Sequence, residues 1–202
     1  MLFLHFAVSV KWVTRCDCLM KTPLAASLCL GLSAIVSFAG DVGGWRSRGF
    51  VNLALQKGCK FAFQSSGDHG STHISYALVY AEDNTRDAIV AAMKKRHTYS
   101  ATDNIIADFR CDEQMMGDEF TTSEAPKFRI HLKGTAAFKK VVFVKDDVEI
   151  FTAERGKAEC DVEWTDPKPE AGRTSYYYVR GGQENGELVW ASPMWIAHQA
   201  AK

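Results

Sequence analysis

The sequence predicts an α+β protein, a short α/β segment followed by an immunoglobulin-like antiparallel β-sandwich. Three observations predict it. The stretch from Glu82 to Arg96 has the caps and apolar spacing of an α-helix. Ahead of it, the apolar run Lys60 to Phe63 breaks into Ser65-Ser66-Gly67, as a buried strand does where it emerges at its C-terminal end. From Ile105 onward, seven short β-rich runs follow one another with turn signals between them.

In chain order, residues 1–40 read as a leader. Its sharper pattern starts at Met20-Lys21, continues through the apolar run Pro23 to Phe38, and closes on the small residues of Ser37-Phe38-Ala39. That is the three-part secretory signal, and it predicts a secreted or periplasmic protein whose true start is Met20. Pro23, Gly31 and several serines within the run argue against a stable membrane span. The next unit is 41–104. Gly49–Gln56 reads as a short amphipathic helix ended by Lys57-Gly58, with glycine as its C-cap. The strand Lys60 to Phe63 follows. Asn84 or Thr85 caps the main helix, and Glu82 and Asp83 suit the positive end of its dipole. Ile89, Ala92 and Met93 share a face, and Lys94-Lys95-Arg96 favour the C-terminal end. His97 to Thr102 reads as a short strand and Asp103-Asn104 as a turn.

The β unit is 105–198. Its runs are Ile105 to Cys111, Lys127 to Lys133, Lys140 to Lys145, Val148 to Thr152, Ala158 to Thr165, Thr174 to Arg180 and Leu188 to Ile196. Lys133-Gly134, Asp146-Asp147, Arg155-Gly156, Pro167-Lys168-Pro169, Gly181-Gly182 and Asn185-Gly186 separate them. Tyr176, Tyr178, Trp190 and Trp195 fill or edge its core, a role that strand alternation favours over a carbohydrate-binding face.

Composition narrows the function. Lysine plus arginine and aspartate plus glutamate each number 24, so no electrostatic footprint for nucleic acid exists. No Cys-x-x-Cys pair occurs among the six cysteines, which argues against a zinc ribbon, and the sparse thiols are expected to be buried. No Gly-x-Ser-x-Gly, phosphate-cradling loop or nucleotide fingerprint is present. The residues that carry possible chemistry follow the first strand: Asp68, His69 and His73. A carboxylate and two imidazoles at a strand end suit Zn, Mn or Fe, but by themselves they more often make a hydrogen-bonded loop. His97 reads as a polar cap, His131 as a strand histidine, and Glu113, Asp118 and Glu119 as a solvated acidic loop.

Gly58 through Ala81, Arg86-Asp87-Ala88-Ile89 and Lys95-Arg96-His97-Thr98-Tyr99-Ser100-Ala101-Thr102 together resemble the closing segment of a PHP-type (polymerase and histidinol phosphatase) metal-dependent hydrolase domain. Within that class the chain is similar to an uncharacterised family known as domain of unknown function 3604. Met116-Gly117-Asp118-Glu119, Val144-Lys145-Asp146, Ser175 through Arg180 and Trp190 through Ile196 resemble the same family in the same order, so the likeness runs over residues 45–197.

The resemblance implies a partial PHP-type α/β segment ahead of a C-terminal β domain. It implies a divalent metal site to which Asp68, His69 and His73 contribute, and a small-molecule phosphoester as substrate. The family's late metal motif is Asp-x-His; here His69 follows Asp68 directly and Gly70 stands two along. Asp68, His69 or both reach the metal, and His73 is a ligand, a partner of a ligand or a substrate contact. The family's cluster also uses an early His-x-His pair, which occurs nowhere in this chain. The expectation is therefore a fragment or short relative of a secreted PHP-type hydrolase, with weak metal binding and no activity alone. The alternative is a non-catalytic β-sandwich module that binds a partner.

Overall fold

The structure, a computed structural model, describes residues 51–65 and 75–200. The expected leader and the loop residues Asp68, His69 and His73 lie outside the described residues.

Local signals set the two helices. The first, α1 (Val51–Gln56), ends where Gly58 takes φ +79 and its N–H returns to the Leu55 carbonyl at 2.9 Å. The second, α2 (Arg86–Lys94), is capped by Thr85, whose hydroxyl accepts from the Ala88 N–H at 3.2 Å. At its other end Arg96 stands in the left-handed region at φ 64, an unusual conformation for a residue with a Cβ. The His97 N–H bonds the Ala92 carbonyl across that turn at 3.0 Å.

The strands are β1 (Tyr76–Val79), β2 (Thr98–Ala101), β3 (Ile106–Cys111), β4 (Gln114–Met115), β5 (Glu119–Thr122), β6 (Lys127–Lys145), β7 (Val148–Ala153), β8 (Lys157–Thr165), β9 (Thr174–Gln183), β10 (Leu188–Ala191) and β11 (Met194–His198). They form one continuous sheet that is antiparallel except where β11 lies parallel to β5. The predicted antiparallel β architecture is therefore present. The sheet crosses the predicted boundary between 104 and 105, because β2 pairs with β10 from Val189↔Ala101 to Ala191↔Tyr99.

β6 is the spine. Its first half lies between β3 and β8, in registers that place Ala107 and Cys160 opposite Leu132. Its second half lies between β7 and β9, with Phe143 opposite both Phe151 and Val179. The two runs Lys127 to Lys133 and Lys140 to Lys145 are thus one strand, and Gly134 is not a turn. A Cβ on Gly134 would sit 1.8 Å from Gln183 Nε2, so its missing side chain makes room for that buried amide where β6 exchanges partners. The run Leu188 to Ile196 is two strands, because Ser192-Pro193 breaks the ladder. β4 and β5 were not predicted.

One face of the curled sheet encloses the main core. Phe109, Phe128, Ile130, Leu132, Phe138, Phe143, Val162, Tyr177, Val179 and Met194 all belong to it. Phe128 is its centre, 4.7 Å from Tyr177 and stacked on Trp164 at 6.0 Å between centroids. Burying each such side chain is worth about 2–3 kcal/mol. Cys111 and Cys160 are sealed in the same core, where burial pushes the Cys111 thiol up to about 12 and raises that of Cys160. Both are buried, as the sequence reading expects, whereas Cys59 is half-buried.

The opposite face carries a second, aromatic cluster. Tyr176, Tyr178, Trp190 and Trp195 lie under Leu55, Phe61 and Phe63 of the incoming segment. The expected strand Lys60 to Phe63 is not one: this segment has no ladder partner and lies over the sheet face. Side chains replace the ladder. The Phe63 N–H donates to Ser192 Oγ at 2.8 Å, and its carbonyl accepts from Thr98 Oγ1 at 2.9 Å. All four residues of β2 are therefore buried, Tyr99 and Ala101 toward the main core, Thr98 and Ser100 on the opposite face.

Candidate functional site

The candidate metal residues Asp68, His69 and His73 sit in a stretch whose two ends are fixed. Ser65, buried, donates through Oγ to the Tyr76 carbonyl at 2.9 Å and faces the Ala101 carbonyl at 3.5 Å. Ser75 is also buried, and Tyr76 is the residue opposite Ala101. The chain leaves Ser65 and returns at Ser75 beside one rung of the β1–β2 ladder. The base of the loop is closed by a hydrogen bond between its flanks, at the C-terminal end of β2.

The neighbouring blocks meet at the other end of β2, where Thr98 stands. Phe63 is clamped between Ser192 and Thr98, and Thr98 follows His97 directly. His97 Nε2 lies 2.8 Å from Asp118 Oδ1, and Asp118 Oδ2 accepts from the Met115 N–H at 2.9 Å. Burial alone would raise the Asp118 carboxyl. The hydrogen bonds from His97 and Met115, with the charges of His97 and Arg96, hold it below the usual carboxylate range. The carboxylate is thus the acceptor, and His97 donates through Nε2–H. These residues belong neither to a simple helix cap nor to a solvated acidic loop; they form a partly buried pair, with side chains 14% and 26% exposed.

Gly117 makes this junction possible. At φ +95 it brings its backbone against the Arg96–His97 turn, and a Cβ there would lie 2.3 Å from the Arg96 carbonyl oxygen. Arg96 Nε donates to the Gly117 carbonyl at 2.9 Å, and its guanidinium lies 5.1 Å from the centroid of Trp195. The Gly117 N–H donates to Pro193 O and the Trp195 N–H to Asp118 O, both at 3.0 Å. Four separated stretches, around Phe63, His97, Gly117 and Ser192, therefore interlock. The quoted likeness includes all four regions, but their contacts span up to 129 residues, beyond the reach of any local pattern.

A second polar centre lies at the far end of β6. Lys145 Nζ and Tyr177 Oη both reach Asp166 Oδ2 at 2.7 Å, and the Lys168 N–H donates to Asp166 Oδ1 at 2.9 Å. Burial would raise the Asp166 carboxyl, but these donors together hold it low. Every atom of the pair is satisfied, so this centre is a structural clasp. His131 is the strand histidine the sequence predicts, half-buried beside Asp161 at 3.0 Å. Among the described residues no group of three or more His, Cys, Asp or Glu side chains is gathered to hold a metal ion. No helix among them is long and apolar enough to cross a membrane.

With this geometry in place, comparison with known proteins adds the following. Residues 38–127 match the model of a family described as protein of unknown function (DUF3604). That match takes in the candidate loop, the His97 turn and Gly117-Asp118. The chain is 26% identical over 187 residues to an uncharacterized protein of Chlamydia trachomatis serovar D, covering 78% of this chain and 30% of that protein. It is 25% identical over 187 residues to an uncharacterized protein of Chlamydia muridarum, with the same coverage. The chain thus spans about 30% of the length of these curated relatives. No solved structure matches it.

Proposed function

We propose that this chain is a member of the DUF3604 family and corresponds to the closing part of a secreted PHP-type metal-dependent hydrolase. In this reading 41–104 is the end of the hydrolase domain and 105–198 an immunoglobulin-like β domain fused to it by the shared sheet. The observation that carries the proposal is the closed base at Ser65, Tyr76 and Ala101, which joins the two flanks of the stretch whose sequence contains Asp68, His69 and His73. The family match across 38–127 and the greater length of the relatives support it.

The donor chemistry fits a divalent ion, Zn, Mn or Fe: one carboxylate and two imidazoles are the ligand types these metals take. Such a metal, when bound, lowers the pKa of a bound water toward neutrality and so suits hydrolysis of a phosphoester. The chain's own part is to supply these donors from one stretch whose flanks are joined at Ser65 and Tyr76. The remaining ligands of the family's cluster have no counterpart in this sequence, so metal binding by the chain alone is weak and it does not turn over simple phosphate esters.

Calorimetric titration of the full chain with zinc and with manganese tests this, on wild type and His69→Ala. Weak binding that falls further in His69→Ala, with unchanged unfolding, is the expected result. Affinity tighter than about 1 μM would refute the partial-site reading. Equal binding by both proteins would remove His69 from the metal site. A rival reading, a non-catalytic β module, draws on the lack of any other ligand cluster among the described residues; equal binding would favour it.

A further inference from the structure

Outside the candidate loop, one concave feature of the described residues combines apolar lining residues with charged and polar ones. It is a cleft of about 370 Å³ between α2 and the sheet edge. Ala88, Ala91 and Ala92 of α2 line it together with Tyr80 and Met115. Glu82, Lys95, His97 and Arg110 are its charged and polar lining residues. This volume lies within the range of small-ligand sites.

The polar groups differ in how far they are already committed. The Tyr80 hydroxyl donates to the Ala107 carbonyl at 2.8 Å, so tyrosine offers only its ring. Arg110 spends Nε on Asp108 at 2.9 and 3.1 Å, which leaves its terminal nitrogens. Lys95 has no ion pair among the described residues, and its side chain is exposed. His97 donates Nε2–H to Asp118, so in the neutral ring Nδ1 is a bare acceptor. Nδ1 has no hydrogen-bond partner among the described residues, and His97 lines the cleft.

We propose that this cleft binds a small organic anion: an apolar body against the α2 alanines, an acidic head at Lys95 and Arg110, and a hydrogen-bond donor of the ligand at His97 Nδ1. Asp118 is a positioning residue, which fixes the imidazole tautomer and orientation. The acidic head can be a phosphate or a carboxylate, since both present the same acceptor oxygens to lysine and arginine. The proposal does not depend on Asp68, His69 or His73.

The test uses the full chain in EDTA, on a His69→Ala background, so that a metal at the loop plays no part. The probes are phenyl phosphate and phenylacetate, with inorganic phosphate as head alone and phenol as body alone. Nitrogen-15 resonances of the His97 ring report the contact. Either aromatic acid is expected to shift them more than inorganic phosphate or phenol, and the larger response between the two acids identifies the head group. Lys95→Glu, an exposed change that leaves the fold intact, is expected to weaken binding about ten-fold, the worth of one charge-assisted hydrogen bond. Asp118→Asn is expected to alter the ring's tautomer signature and weaken binding while Lys95 is retained. The proposal is overturned if millimolar acid leaves the His97 signals unmoved, if phenol matches the acids, or if Lys95→Glu binds as tightly as wild type.

Discussion

Gly117→Ala is the most informative single perturbation of this fold. Two costs follow from the structure. The residue stands at φ +95, where an L side chain is strained by about 1–2 kcal/mol. Its Cβ would also lie 2.3 Å from the Arg96 carbonyl oxygen and 2.7 Å from that of Lys95, both of them backbone atoms at the fixed end of α2. Neither can move aside as a side-chain tip does, so the β4–β5 turn must withdraw. Withdrawal stretches the Arg96–Gly117 bond, the Gly117–Pro193 bond and the His97–Asp118 pair. At about 1 kcal/mol for each bond lost, two of them add roughly 2 kcal/mol. The total is about 3–4 kcal/mol, a large share of the 5–15 kcal/mol typical of a folded domain. Gly186→Ala is the matched control, since Gly186 has φ +90 but open space where its Cβ would be. It carries the backbone strain alone, about 1–2 kcal/mol. Urea unfolding followed by circular dichroism measures both. Equal losses in the two variants would refute the claim that contact with the Arg96 turn, rather than glycine's φ, makes Gly117 necessary.

The other predictions concern acid and the sheet. Asp118 and Asp166 both have folded-state carboxyl values below the ordinary one. Their contribution to stability is therefore complete above the ordinary carboxylate value of about 3.9 and is lost as pH falls below it through the folded values. Asp166→Asn is expected to lower stability at neutral pH and to flatten the loss in acid; parallel pH curves for variant and wild type would contradict this. A chain beginning at Ile105 lacks β2, so it bares the edge of β10 and removes Tyr99 and Ala101 from the core. It is expected to melt below the full chain and to associate, and an unchanged melting temperature in a monomer would show that β2 is dispensable.

The parts of this protein legible in its sequence are those whose cause is local. Thr85 caps α2 because its hydroxyl reaches the Ala88 N–H three residues on. Gly58 ends α1 because glycine enters positive φ freely. Asp146-Asp147 turns β6 into β7 with both residues at positive φ, and Gly186 turns β9 into β10. The β-rich run Lys127 to Lys133 is a strand, and Phe128, Ile130 and Leu132 alternate onto its buried face. Asp68, His69 and His73 were read as residue types alone and lie outside the described residues; the Ser65–Tyr76 bond between their flanks was not legible.

Tertiary structure decided the rest, because the responsible partners are distant along the chain. Gly134 looks like a turn residue by itself; only the Gln183 amide packed against it shows that β6 runs through. Phe61 and Phe63 look like a strand by themselves; their place over Tyr176 and Trp195, held by Ser192 and Thr98, makes them a cover instead. His97 looks like a helix cap until Asp118 arrives 21 residues later to pair with it. Caps, turns and alternation are written within a few residues and can be read there. Which strand lies beside which, and which imidazole meets which carboxylate, is settled by burial of a shared core, a property of the whole chain.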